Sequence, residues 1–450
     1  MVVFALCCAA TMLLAASLQL GPYGVGTMSV FVPAVQFALI MTLLGAVFSL
    51  FRVGEPKTLA VVLVRTTIVL AVGFPIVYTL FGYVTGGSAA RAVLGYASLF
   101  VLAGMVLIRA AVSTVLGAGV GLQRVLIVGT GAEALAVESV ISQMGPRRSV
   151  VVGFYPTGPE DVPAAVQDSV GKAPLFPRSL DLPAIVERFK VDEVIVAVRE
   201  QRGGVLSLRG LLECRARGVP VRDLSGFYER VRGEVPIESL KASWLIYGEG
   251  FAQDTTRTFV KRVFDMALAG LLLVLALPVM LATVIAIFLE SGAPIFFLQE
   301  RVGRGGRSFL CVKFRSMRTD AERDGVARWA SPNDARVTRV GRLIRKWRID
   351  ELPQLFNVLS GEMSLAGPRP ERPSFVSGLK EQIRFYDVRH SIKPGITGWA
   401  QIRYPYGSSV EDSQRKLQYD LYYVKNHSFS LDVLILMETM RVVLFGEGAH

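Results

Sequence analysis

Histidine and cysteine are scarce in this chain, and recognisable nucleic-acid motifs are absent. Histidine occurs three times in 450 residues, at scattered positions, and none is predicted to be catalytic. The four cysteines, Cys7, Cys8, Cys214 and Cys311, lack the spacing of paired disulfides or of a zinc site. The net charge of +12 is therefore not assigned to nucleic-acid binding. These absences exclude disulfide scaffolds, zinc domains and known nucleic-acid-binding modules.

Charge is also scarce in the first 120 residues, where apolar stretches dominate. The whole chain is 52% hydrophobic, with a mean hydropathy of +0.44, which indicates membrane segments. Each apolar stretch approaches the ~20 residues that a bilayer requires, and residues 1–20 lack the basic start of a cleaved signal peptide. We predict a bundle of four transmembrane helices, at roughly 1–20, 28–51, 59–81 and 92–116.

The few charges of this region predict its orientation. Arg52 and Lys57 lie in the loop between the second and third predicted helices, whereas the next loop contains only Arg91. Because cytoplasmic loops are rich in basic residues, both ends of the bundle are predicted in the cytoplasm. Arg65 lies within a span, where it is either functional or extended toward the cytoplasmic surface, the reading we favour. We therefore predict a multi-pass protein of the inner membrane that contacts anionic lipids.

A Rossmann-like parallel α/β domain is predicted at about 121–245. A buried strand from Arg124 leads into a Gly-x-Gly-x-x-Ala turn at Gly129, and further strands are expected at 150–155 and 191–198. The acidic residue that would bind a ribose after the second strand is missing. The pattern favours a degenerate or regulatory domain over an active dinucleotide site, and leaves nucleotide sensing open.

Residues 266–289 form an uncharged apolar run that contains Pro278. A straight helix of this length would cross the bilayer and place the following residues outside the cell. Basic residues on both flanks, such as Lys261 and Arg301, favour the cytoplasm for both ends, and a proline bends a helix. We therefore predict a re-entrant helix at about 263–289, with Pro278 as its kink. An ordinary fifth span is the alternative.

Adjacent carboxylates, Asp350 and Glu351, lie between a basic amphipathic helix and Pro353. A proline disfavours helical geometry in the preceding residue and suits the first turn of a new helix, so a helix junction is predicted here. Exposed N–H groups and nearby arginines would attract a phosphate there. The pair could hold a metal, attack phosphorus or act as acid and base, or could only cap a helix and pair with Arg345 and Arg348.

A β-hairpin is predicted upstream of this pair. Residues 293–299 and 309–314 have strand character, and the turn 304–307 is basic and rich in glycine. The returning strand would bring Lys313 and Arg315 toward the candidate site, where each is either a phosphate ligand or a solvated charge.

The segment from Asp350 to Glu371 reads DELPQLFNVLSGEMSLAGPRPE. It closely resembles the signature of bacterial sugar transferases, the polyprenyl-phosphate hexose-1-phosphate transferases of the monotopic phosphoglycosyl transferase superfamily. The resemblance covers about residues 255–450. Further matching pieces are QERVG at 299–303, KFRSM at 313–317, KPGITGW at 393–399 and YDLYY at 419–423.

The resemblance implies transfer of a sugar 1-phosphate from a UDP-sugar to undecaprenyl phosphate, with release of UMP, as the first membrane step of exopolysaccharide or O-antigen synthesis. Asp350 would form a covalent acyl phosphate, with Glu351 as base or metal partner. Mg²⁺, bound by Asp350 and Glu351, is the expected cofactor. The oligomeric state stays open, with a homodimer as one arrangement. The expected substrate- and phosphate-binding residues are Lys313, Arg315, Arg345, Arg348, Pro368, Arg369 and Pro370.

The fold class predicted is therefore a membrane α plus α/β protein. Its domains are a transmembrane bundle at 1–118, a Rossmann-like accessory domain at 119–248, and an α-rich catalytic domain at 249–450 that is anchored by the re-entrant helix. Two other classes stay open. One is a nucleotide-sugar oxidoreductase or dehydratase, and the other is a non-catalytic scaffold for polysaccharide assembly.

Overall fold

The chain forms two compact units, Met1–Leu224 and Ser225–His450. The computed structural model describes residues 27–47, 59–83, 122–143, 149–157, 173–198, 208–237, 255–321, 334–404 and 409–445, together with isolated positions between them.

The first unit contains two apolar helices, α1 (Thr27–Val47) and α2 (Leu59–Tyr83). They match two of the predicted spans and pack closely, because a side chain on Gly73 would lie 2.7 Å from Met41. The predicted spans at 1–20 and 92–116 fall almost wholly outside the described residues. Within the described part of the chain, one helix, Thr255–Ser291, is long and apolar enough to cross a membrane. The four-helix bundle stays a prediction.

A parallel α/β domain completes this unit. Its four strands are β1 (Gln123–Val128), β2 (Ser149–Tyr155), β3 (Glu193–Val196) and β4 (Val221–Asp223). They lie in the order β2-β1-β3-β4, and all neighbouring pairs are parallel. Gly129, after β1, has a φ of 121°, and a side chain there would meet the backbone oxygen of Ala197 at 2.7 Å. Only glycine suits this turn. The predicted strands are confirmed; nucleotide binding stays a prediction. Between the strands lie the helices α3 (Ala132–Gln143), α4 (Leu182–Arg188) and α5 (Leu208–Ala216).

The second unit is built around one long helix and a hairpin. The hairpin is antiparallel and confirms the predicted pair of strands and the basic turn between them. In order, the elements are α6 (Leu224–Arg232), α7 (Thr255–Ser291), β5 (Phe296–Val302), β6 (Ser308–Phe314), α8 (Arg339–Lys346), α9 (Gln354–Ser360), β7 (Ser364–Ala366), α10 (Pro373–Gln382), β8 (Gly395–Thr397), α11 (Trp399–Arg403), α12 (Val410–Asn426) and α13 (Phe429–Phe445).

Helix α7 lies along this unit over much of its length. Ala269 packs into a core with residues of β6 and α9, while Met280 and Ile287 pack with Phe314 and Ile344. The opposite face is apolar and exposed, as expected for a helix that contacts lipid. Pro278 lies inside one continuous helix rather than at a break between two.

Polar contacts attach both ends of α7 to the same unit. Near its start, Asp265 accepts a hydrogen bond of 2.8 Å from the Ser364 hydroxyl. Near its end, Glu290 accepts hydrogen bonds from the first backbone N–H groups of α8, at 2.8 Å from Arg339. Polar protein therefore lies beside both ends of the apolar helix.

Candidate active site

Asp350 and Glu351 lie in a short 3-10 turn, Ile349–Glu351, between α8 and α9. The predicted junction between helices is confirmed. Arg348 turns the chain there with a left-handed φ of 56°. Both carboxylates are less than a tenth exposed. Trp347, which directly follows the end of α8 at Lys346, is 48% exposed.

Three cations surround the Glu351 carboxylate. Its Oε1 atom accepts a hydrogen bond of 2.7 Å from Arg369, and lies 3.7 Å from Lys313 and 3.6 Å from Arg348. Burial alone would raise the pKa of Glu351, but the charges of these three residues outweigh it and hold the pKa well below its usual range. Glu351 is therefore ionised at every pH at which the protein would work.

Asp350 has the opposite electrostatic character. Burial, and then the neighbouring Glu351 charge, raise its pKa to about 6. Its Oδ1 atom is buried and has no hydrogen-bond partner in the described structure. A carboxylate that is ionised at neutral pH but poorly stabilised is a good candidate for a nucleophile or a ligand of an incoming group.

Lys313 reaches Glu351 from β6, and an asparagine side chain aligns that strand. Asn357 of α9 accepts a hydrogen bond of 3.0 Å from the Val312 N–H and donates one of 2.7 Å to the Leu310 carbonyl. The amide thus acts like an added strand on the free edge of β6. Because α9 begins just after Glu351, Asn357 ties the position of Lys313 to that of the carboxylates.

Arg369 is held by a buried arginine and a partly buried one, which bind the backbone around it. Arg389 donates to the Arg369 carbonyl at 2.9 Å, and Arg301 donates to the Pro370 carbonyl at 2.9 Å. Arg389 is itself 2.8 Å from the buried Asp420. With Pro368 and Pro370 on either side, Arg369 lies in a segment with few alternative conformations.

The remaining predicted ligands are placed differently. The Arg315 guanidinium binds the end of α7, with bonds to the Ser291 hydroxyl at 2.6 Å and the Gly292 carbonyl at 2.7 Å. It therefore makes no contact with the carboxylate pair, and its predicted phosphate contact remains a prediction. Arg345 is half-buried on α8, and its charge acts on Asp350 without a direct ion pair between the two.

Sequence reasoning missed Asn357, Arg389 and Asp420. Arg389 and Asp420 are 31 positions apart in the chain, and no local pattern pairs them. For Asn357, the available signal was a polar residue between the apolar Phe356 and Val358 of α9. An isolated asparagine on an apolar helix face usually satisfies a nearby backbone group when it is buried.

The carboxylate pair fits a magnesium ion, although it does not form a complete site. Among the described residues, no group of three or more His, Cys, Asp or Glu side chains could hold a metal. Mg²⁺ is usually bound by one or two carboxylates together with water and substrate phosphates. The unpartnered Oδ1 of Asp350 and the ionised Glu351 supply two such ligands.

The carboxylate pair lies within a region that matches a family of known proteins. The family described as "Bacterial sugar transferase" matches residues 256–446. The chain is 43% identical over 273 residues to the UDP-N-acetylgalactosamine-undecaprenyl-phosphate N-acetylgalactosaminephosphotransferase of Aeromonas hydrophila, covering 61% of this chain and 63% of that protein. It is 34% identical over 339 residues to the undecaprenyl-phosphate glucose phosphotransferase of Komagataeibacter xylinus, covering 73% and 60%.

A third relative is the UDP-glucose:undecaprenyl-phosphate glucose-1-phosphate transferase of Xanthomonas campestris pv. campestris. It is 33% identical over 342 residues, which cover 74% of this chain and 69% of the relative. The chain spans less than two thirds of the length of the first two relatives. It belongs to the bacterial sugar transferase family, as its sequence motifs predicted.

Proposed function

We propose that this protein transfers a sugar 1-phosphate from a UDP-sugar, a hexose donor, to undecaprenyl phosphate and releases UMP. The observation that supports this most directly is the pair of adjacent buried carboxylates with opposite electrostatic character, Asp350 and Glu351, beside Arg369 and Lys313. The relatives named above are transferases of sugar phosphates to undecaprenyl phosphate.

In the first step, a carboxylate oxygen of Asp350 attacks the sugar-linked phosphorus of the donor. A bond forms between Asp350 and phosphorus, the bond to the UMP oxygen breaks, and UMP leaves with the electron pair. Arg369 and Lys313 would stabilise negative charge on the phosphoryl oxygens. Asp350 suits this role because its pKa of about 6 leaves it ionised at neutral pH, while no hydrogen bond to Oδ1 must be broken.

In the second step, an oxygen of undecaprenyl phosphate attacks the same phosphorus. The bond to Asp350 breaks, the carboxylate is restored, and the sugar diphosphate lipid leaves. Glu351 keeps Arg369, Lys313 and Arg348 in place through both steps, since it contacts all three. Mg²⁺ bound to Asp350 and Glu351 would supply further charge neutralisation on the phosphoryl oxygens.

The length and the polar contacts of α7 support a position of the site at the cytoplasmic surface of the membrane. At ~1.5 Å per residue, its 37 residues would extend ~55 Å, longer than the ~30 Å hydrocarbon layer. Asp265 and Glu290, near its two ends, both bind polar groups of the same unit. A re-entrant path through one leaflet keeps both contacts on the cytoplasmic side, where the nucleotide sugar is found.

The upstream part would add a multi-pass anchor in the inner membrane. The apolar helices α1 and α2 would be two of its spans. The parallel α/β domain would serve as a degenerate or regulatory accessory module, without redox chemistry of its own.

The experiment that tests the function separates the two steps. Purified protein is incubated with labelled UDP-glucose, UDP-galactose, UDP-N-acetylglucosamine or UDP-N-acetylgalactosamine in the absence of lipid. Intact-mass and peptide mass spectrometry should detect a sugar-phosphate adduct on Asp350 with one of these donors. Asp350→Asn should form none, and Arg318→Gln, an exposed control, should react normally. Lipid-dependent turnover without any adduct would instead indicate direct displacement.

A further inference from the structure

A second cluster of cations lies at the other end of α9, apart from the carboxylate pair. A methyl group on Gly361, which caps α9, would lie 3.3 Å from the Nη2 atom of Arg262 and 3.6 Å from the Nζ atom of Lys393. Gly361 has a φ of 93°, a conformation that favours glycine. The glycine therefore leaves a space into which both cationic groups project.

The charges around this space are not balanced. Lys393 is affected by the charges of three other cations, Arg262, Arg304 and Lys261. The carboxylates near this group are Asp265 and Asp432. Lys261 is the member that the two carboxylates contact. Arg262 donates to carbonyls at the end of α9, at 2.7 Å in the case of Leu359.

Lys393 and Arg304 have no direct ion-pair partner among the residues that the structure describes. Within the same described residues, neither side chain forms a hydrogen bond. Burial, and then the charges of Arg262 and Arg304, lower the pKa of Lys393. The negative end of a helix as short as α9 offers at most about half a charge in compensation. The cluster is therefore poised to bind an anion.

Neighbouring features indicate the chemical class of the anion that would bind here. Phe259 and Val263, next to Arg262 on α7, are 68% and 51% exposed, so that an apolar surface adjoins the cluster. The excess of about two positive charges matches a phosphate monoester, which carries about −1.5 to −2 at neutral pH, better than a singly charged phosphodiester. The backbone next to Lys393 also contacts the segment of Arg369, since the Gly395 N–H donates to the Pro368 carbonyl at 3.0 Å.

We propose that Lys393, Arg304 and Arg262 form a binding site for the phosphate monoester of a membrane lipid, distinct from the carboxylate pair. Resting on the proposed function, this site would hold the acceptor phosphate at the membrane surface beside the Arg369 segment. Arg262 supplies the fixed part of the site because its guanidinium is already anchored to α9. Lys393 and Arg304 supply the charges that remain free to bind the ligand.

The test measures binding rather than turnover. Full-length protein in detergent is titrated with vesicles of neutral lipid that contain undecaprenyl phosphate, with vesicles that contain phosphatidylglycerol, and with UDP or inorganic phosphate in solution. Lys393→Met and Arg304→Gln should each weaken binding of the undecaprenyl phosphate vesicles roughly fivefold, the effect of about 1 kcal/mol per basic residue at a membrane surface. Lys393→Arg should bind like the wild type.

The controls separate this proposal from the function. Lys380→Met removes an exposed lysine that pairs with Asp387 and should change no affinity. In Lys393→Met, the sugar-phosphate adduct on Asp350 should still form normally. An unfolding midpoint equal to that of the wild type would confirm that this variant is folded. The proposal is wrong if the lipid affinity of Lys393→Met is unchanged, if the loss is as large with phosphatidylglycerol, or if only UDP or inorganic phosphate binds more weakly. Absence of any adduct in the wild type would count against the function but not against this site.

Discussion

Replacing Asp350 with asparagine should stabilise the protein at neutral pH while removing its activity. The pKa of Asp350 is raised from 3.8 to about 6, chiefly by burial. At ~1.36 kcal/mol per pKa unit, the buried charge costs roughly 3 kcal/mol above pH 6. An asparagine amide that lacks partners there costs about 1–2 kcal/mol. The expected net gain is therefore about 1–2 kcal/mol, or roughly 2–8 °C in the unfolding midpoint of a unit of this size.

The pH dependence distinguishes this explanation from a general packing effect. Because the folded-state pKa of Asp350 is raised, the folded protein binds more protons than the unfolded chain between about pH 4 and pH 6. The free energy of unfolding of the wild type should fall as the pH rises through that window. The advantage of Asp350→Asn should therefore be present at pH 7.5 and vanish at pH 4.

Glu351→Gln is a matched control, for which the opposite change in stability is expected. The pKa of Glu351 is held low, so its charge stabilises the folded protein at neutral pH, and that contribution is lost as the pH falls. Glu351→Gln should be destabilised by roughly 3 kcal/mol at pH 7.5, because Arg369 and Lys313 lose their buried partner. Thermal unfolding of both variants in the same detergent gives the comparison. Equal loss of stability in both, or a gain for Asp350→Asn that persists at pH 4, would refute the electrostatic account.

Substitutions at three further positions test the residues that support the site. Arg369→Met should lower the rate of adduct formation roughly 100-fold, because a charge that stabilises the phosphoryl oxygens is lost. Arg369→Lys, which keeps the charge, should lose less. Asn357→Leu should lower the free energy of unfolding by about 2–4 kcal/mol, because the backbone groups of Leu310 and Val312 lose their hydrogen-bond partners. Denaturant titrations measure this change. Unchanged stability would exclude the role of Asn357 at the strand edge. Arg315→Met should destabilise the end of α7 by about 1–3 kcal/mol while the folded variant still forms adduct; loss of the adduct would restore Arg315 as a phosphate ligand.

Features that depend on neighbouring residues were predictable from the sequence. The junction at Asp350 follows from Pro353 and the basic amphipathic helix before it, and the hairpin follows from two apolar runs around a glycine-rich turn. The motif around Arg369 also predicted the family, and the comparisons confirm it. These patterns are local, so each could be read without knowledge of the tertiary fold.

Features that depend on long-range packing were not predictable. Arg315 is only two residues from Lys313, yet it binds the end of α7 whereas Lys313 reaches Glu351. The alternation of side chains along an extended segment does not indicate which nearby element each arginine or lysine meets. Likewise, the support that Arg389 and Asp420 give to the Arg369 segment requires a fold that brings distant helices together.

The most direct test of the account asks on which side of the membrane the two ends of α7 lie. Single cysteines are introduced at Thr255 and at Ser308, both exposed, after the native cysteines are replaced. In inverted inner-membrane vesicles, whose cytoplasmic face is outward, an impermeant thiol reagent should label both positions, and in intact spheroplasts it should label neither. Labelling of one position in vesicles and the other in spheroplasts would mean that α7 crosses the bilayer, and would contradict a carboxylate site that meets its soluble donor and its lipid acceptor on the cytoplasmic side.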